Sequence, residues 1–247
     1  MIDVIGLLPD FGAWLVCAVA VVAGTMLQRL SGAGFGMIAA PVMTLVAESY
    51  VPGTILLLGF AVGLGSVLGA EDAVVMADLP PGFLGRMLGA AVAASIATLV
   101  VGSAALPVIV ACIVLFSVAL NLAGLKIPIT KVSLFSAGSI AGVMGTLTGI
   151  GAPPMAILYS SVETRRSAAS QNAFFGFGMV VSILALALAG LIRLPQIAFA
   201  LSLLPLVPIS LYIVRPLMRR FERGSIRPWA LGLATLAALI LLARSIL

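Results

Sequence analysis

"TGIGAPPMAILY", residues 148–159, decides how this chain is read. Two glycines stand two positions apart and two prolines follow at once, and apolar runs flank them on both sides. Glycine and proline both weaken helices, so the stretch predicts a helix broken inside a hydrophobic region. "SGAGFGMIAAPVM", residues 31–43, is a partial echo: at an offset of 117, Ser31–Gly34 falls on Thr148–Gly151.

The surroundings are those of a membrane protein. Of 247 residues, 62% are hydrophobic and only 9% charged, with a mean hydropathy of +1.29. Apolar runs approach or exceed the roughly 20 residues that span ~30 Å of hydrocarbon. The expectation is an all-α, polytopic integral membrane protein. With no histidine in the chain, imidazole metal sites, histidine acid–base chemistry and histidine-ligated haem are excluded. Cys17 and Cys112 lie in apolar runs without CxxC spacing and read as small buried hydrophobes. The opening "MIDVIGLLPD" carries acids and no basic region, so the first apolar run is expected to persist in the mature protein.

Hydropathy and helix breakers divide the chain into about ten apolar segments. They cover 11–28, 34–47, 51–70, 82–101, 104–124, 132–148, 151–161, 167–192, 196–214 and 228–246. The second and seventh are short and adjoin the glycine motifs, which leaves eight to ten spanning segments. The loop 215–228 holds Arg215, Arg219, Arg220, Arg223 and Arg227, and short basic loops face the cytoplasm. Counting back through ten crossings puts Arg165–Arg166, Lys126–Lys131 and Arg29 on that side with both termini opposite. Eight crossings move Lys126–Lys131 outside. The net charge of +5 is then a matter of topology and of contact with lipid, not of nucleic acid.

"AGTM" at 23–26 and "AGVM" at 141–144 extend the echo. The chain thus reads as two pseudo-symmetric repeats, 1–125 and 126–247, forming one membrane domain. An odd number of crossings per repeat makes them antiparallel. Paired, Gly/Pro-interrupted short segments are the sequence pointer to a transporter's binding site. A broken helix bares N–H and C=O groups that hydrocarbon cannot satisfy, and a half-helix starting there aims its positive dipole end at the break. Pro153 and Pro154 read as such a start, making an anion-accepting backbone nest near the midplane. The competing reading is helix packing. GxxxG spacing occurs at Gly32/Gly36, Gly59/Gly63, Gly65/Gly69, Gly85/Gly89, Gly138/Gly142 and Gly145/Gly149. No nucleotide fingerprint is present, since "GAGFGM" lacks the third glycine of GxGxxG.

The same residues resemble the TauE/SafE family of sulfite exporters. "TGIGAPPMAILY" matches its second-half pattern with Ala152 in place of a glycine, and "SGAGFGMIAAPVM" the first-half pattern with Ala33 and Phe35 at glycine-rich positions. The resemblance covers essentially the whole chain. It implies a secondary permease of the inner (plasma) membrane for small anions such as sulfite, sulfoacetate or other organosulfonates.

The expected substrate site lies between Ser31, Gly32, Ala33, Gly34 and Thr148, Gly149, Ile150, Gly151, with Pro153 and Pro154 fixing the second half-helix. Gln171 and Asn172 are the expected side-chain donors, and Arg29 an electrostatic candidate or an interfacial anchor. Arg86 reads as interfacial. No Asp or Glu lies near the centre of a segment, so no carboxylate proton relay is visible. No catalytic residue, metal or cofactor is expected. The alternatives are a membrane-embedded enzyme, for which only Glu71, Asp72 and Asp78 cluster, or a scaffold subunit. The expected partners are a small anion, membrane lipid and a second copy of the chain in a homo-oligomer; no nucleic acid is expected.

Overall fold

The computed structural model describes residues 5–32, 34–68, 79–161, 164–220 and 227–246. Ala33, Gly69, Glu71, Asp72, Asp78 and Arg223, used above, lie outside the described residues. Eleven α-helices occur among the described residues: α1 Phe11–Ser31, α2 Phe35–Val46, α3 Gly53–Leu68, α4 Leu79–Val100, α5 Ala105–Leu122, α6 Lys131–Thr148, α7 Pro153–Leu158, α8 Thr164–Leu188, α9 Leu194–Leu203, α10 Leu206–Arg220 and α11 Arg227–Ile246. No strand occurs among the described residues. Helix satisfies each backbone group within its own segment, which hydrocarbon requires. Five stretches have the length and apolar composition to cross a membrane, namely Phe11–Ser31, Leu79–Val100, Ala105–Leu122, Ser167–Leu188 and Leu194–Val214.

Local sequence sets the ends. The Asp10 carboxylate accepts from Ala13 N at 3.0 Å and caps α1. Thr130 and Ser133 form a reciprocal capping box at the start of α6. The prolines at 153–154 occupy the first turn of α7, where a missing N–H costs nothing. The ninth apolar segment, read from sequence as one run, is two helices. Its interruption falls at Leu204–Pro205, because proline cannot donate the next helical bond.

The chain folds back on itself at both breaks. α2 returns along α1: a methyl on Gly24 would lie 3.0 Å from Phe35 O, and Ile38 packs with Ala20 and Leu27. α7 returns along α6, where Met155, Leu158 and Tyr159 meet Leu134, Ala137 and Ala141. α3 and α8 run antiparallel, Gly59 facing Met179 and Gly63 facing Gly176. α4 and α6 run parallel in backbone contact, with Gly82 against Gly138 and Gly89 against Gly142. Small residues permit that approach, so the packing role of these glycines is real.

Two ends of the bundle follow from these contacts. At one, Arg29 Nη1 donates to Ser66 O at 2.7 Å, Gly32 meets Ala168, and Ser160 Oγ approaches Leu125 O at 3.5 Å. At the other, Trp14 Nε1 donates to Ser202 Oγ at 3.0 Å and Arg244 Nη1 to Leu45 O at 2.9 Å. A cavity of about 400 Å³ opens there among Thr44, Glu48, Pro107, Arg244 and Ser245. Of the cysteines, Cys17 is buried as expected, whereas Cys112 is exposed: it lies on the outward face of α5.

Candidate anion site at the helix breaks

Both long helices preceding a break end on a left-handed glycine. Gly32 has φ 75° and donates to Gln28 O; Gly149 has φ 77° and donates to Gly145 O. Both fit the αL helix end that glycine adopts without strain. The structure brings the two breaks together, because a methyl on Gly36 would overlap the carbonyl of Gly149, and one on Gly149 would overlap Ile55.

Each break is partly satisfied by a side chain of its own helix. At the first, Gln28 Oε1 accepts from Phe35 N at 3.2 Å. Its Nε2 donates to Gly32 O at 2.8 Å and to Asn172 Oδ1 at 3.0 Å. At the second, Thr148 Oγ1 donates to Met144 O at 2.7 Å and accepts from Ile150 N at 3.2 Å. The nest expected from sequence is thus partly closed by Gln28 and Thr148. α7, with six residues, is also too short to carry the dipole assigned to it, since the effect needs aligned peptides over several turns.

The expected site residues divide between the breaks. Asn172 and Gln171 serve the first: Asn172 bonds Gln28, while Gln171 Nε2 donates to Ser167 Oγ at 2.8 Å and leaves its buried Oε1 unpartnered. Ser31 Oγ bonds back to Leu27 O at 2.8 Å, and Gly34 packs against Leu27. Ile150, Gly151, Pro153 and Pro154 are buried at the second. Arg29 joins neither set, for its guanidinium bonds the Ser66 carbonyl near the end of α3, a favourable place for a cation.

The side chain that sequence reading misplaced is Arg86. It is not interfacial: it is 1% exposed, and it is the one buried charged side chain among the residues whose burial is described. From α4 it donates Nη1 to Ala141 O, and Nη2 to Gly178 O at 3.1 Å and Ser182 Oγ at 3.0 Å. Ser182 in turn shares a 2.7 Å hydrogen bond with Thr146. The guanidinium occupies space that glycine vacates, since a methyl at Gly145, Gly151 or Gly178 would overlap it. Its acceptors among the described residues are all neutral, and Nε has no partner among them.

A signal for this was present. Gly82, Gly85, Arg86 and Gly89 recur at three- and four-residue spacing, which places the arginine on the small-residue face of α4. Gln28 was missed as well, although it stands one turn before Gly32 on a largely apolar helix.

The arrangement presents a fixed positive charge, hydroxyl groups and close backbone at a break in the membrane domain. Comparison with curated proteins and with solved structures returns no match. The family model described as sulfite exporter TauE/SafE matches residues 16–241. The chain is therefore a multi-pass membrane protein that belongs to the TauE/SafE family of sulfite exporters.

Proposed function

We propose that the protein is a secondary permease for small anions, with sulfur oxyanions and organosulfonates as substrates. They would bind where Arg86 meets the second break, between α4, α6 and α8. The observation that carries this reading is the buried guanidinium paired only with neutral acceptors. A charge so placed is expensive unless a counter-charge joins it, and intramembrane charges are as a rule functional. The first break contributes Gln171 and the Asn172 amide from the far side of the contact between Gly36 and Gly149.

Two inverted repeats are supported by exchanged packing. α4 lies along α6, and α10 along α1; α5 contacts α7, and α11 contacts α2. Each pair maps onto the other at the offset read from sequence. On this reading α2 and α7 are return legs. The ends bearing Arg29, Lys126 and Lys131 then face the cytoplasm of a cell whose inner membrane holds the protein. Arg86 breaks the symmetry, since its counterpart at that offset is Leu203, itself buried.

The test is uptake of radiolabelled sulfite and methanesulfonate into proteoliposomes holding the purified protein. Flux above protein-free vesicles, abolished in a folded Arg86→Met variant, is the expected result. Wild-type flux in that variant overturns the assignment of the site. Enzymatic turnover of the anion without its movement would favour a membrane enzyme.

A further inference from the structure

We infer that this permease selects by charge number, carrying monoanions and rejecting dianions at the Arg86 site. The inference rests on the permease reading and concerns what that site can hold. Arg86 is the one charged side chain that is buried among the residues whose burial is described, and a guanidinium does not lose its proton in a protein. The polar groups around it are the Ala141 and Gly178 carbonyls and the hydroxyls of Ser182 and Thr146, all neutral. The next cation on α1, Arg29, is half-buried and bonded to the Ser66 carbonyl at the end of the bundle.

One fixed positive charge buried among neutral groups cancels one negative charge. A monoanion leaves the occluded site neutral, whereas a dianion leaves a net negative charge among carbonyl oxygens, away from water. Such an uncompensated buried charge is what protein interiors exclude. The acceptors already on Arg86 sharpen the effect, because a second negative charge would face the oxygens of Ala141 and Gly178. Hydrogensulfite, alkanesulfonates and small monocarboxylates fit this condition. Sulfate, fully deprotonated sulfite and sulfoacetate, which carries a sulfonate and a carboxylate, do not.

Wild-type protein in proteoliposomes tests this with radiolabelled methanesulfonate, sulfite, sulfate and sulfoacetate in mildly acidic and mildly alkaline buffer. Methanesulfonate, a monoanion throughout, moves equally in both. Sulfite flux falls several-fold in the alkaline buffer as its monoanion is depleted. Sulfate and sulfoacetate move slower than methanesulfonate by about tenfold or more. Arg86→Lys, which keeps the single charge and changes its shape, leaves the monoanion-to-dianion ratio unchanged while total flux drops. Sulfate or sulfoacetate moving as fast as methanesulfonate overturns the inference and leaves the permease reading standing. So does sulfite flux that rises in alkali. Flux of none of the four removes the permease reading, and this one with it.

Discussion

Replacing Gly178 by alanine probes the site with a single methyl group, and Gly176 supplies the matched control. The two glycines stand two residues apart in α8. A methyl at 178 would overlap Arg86 Nε and lie 2.8 Å from its guanidinium carbon, whereas at 176 the nearest atoms belong to Gly63 at 3.7 Å and beyond. Both substitutions raise helix propensity by about 1 kcal/mol. In Gly178→Ala the guanidinium must withdraw, and its bonds to Gly178 O and Ser182 Oγ, at 3.1 and 3.0 Å, are lost. Hydrogen bonds to a charged group contribute about 1.5–3 kcal/mol each. After the propensity gain, a net loss of about 2–5 kcal/mol remains. Thermal melting in detergent and equilibrium binding of labelled methanesulfonate read the outcome. Gly176→Ala should match wild type or melt slightly higher, while Gly178→Ala should bind at least about tenfold more weakly. If the two variants behave alike in both assays, Arg86 is not held as described and the reasoning fails.

Three further outcomes are expected. Gly32→Ala should be more damaging than Gly149→Ala, because its methyl meets the Ala168 backbone at 2.9 Å whereas that of Gly149 meets the Ile55 side chain. Both add about 1–2 kcal/mol of left-handed strain; Ile55→Ala should rescue the folded yield of Gly149→Ala alone. A double-mutant cycle of Gln28→Leu with Asn172→Ala should show coupling of about 0.5–3 kcal/mol in melting measurements, and additivity would deny the contact. In a background free of Cys17 and Cys112, cysteines at Lys126 and Ser160 should label from one face of intact cells and a cysteine at Glu48 from the other.

Most of the architecture was legible in the chain because hydrocarbon leaves few choices. Apolar runs must be helical, and glycine and proline mark where they stop, so the segment read at 132–148 is the helix Lys131–Thr148. The pair of motifs likewise marked the two breaks, though not the left-handed conformation that Gly32 and Gly149 adopt there. Which neighbour each helix faces was harder to read. Hydropathy sees Arg86 as a charge near the start of an apolar run; the glycine spacing puts it on the small-residue face of α4, and packing on α6 is what buries that face. The roles of Gln28 and Thr148 were hidden for a related reason: whether a break stays open for a ligand depends on which side chains fold back over it. The division at Leu204–Pro205 was signalled by the proline, but the long apolar run around it concealed a change of helix.

The placement of Arg86 has a consequence for biosynthesis. Its three acceptors lie 55, 92 and 96 residues further along the chain, so α4 reaches the bilayer before any of them can pack against it. At synthesis rates of roughly 5–20 residues per second, about 5–20 s separate Arg86 from Ser182. A lone arginine at the centre of an inserting helix costs about 2.5–3.5 kcal/mol. Arg86 is the eighth residue of α4, only about 10 Å along its axis, and can extend to the nearby headgroups meanwhile. By that reasoning α4 is held shallow when first inserted, and a nascent chain halted before α8 should leave Arg86 within reach of water-soluble reagents.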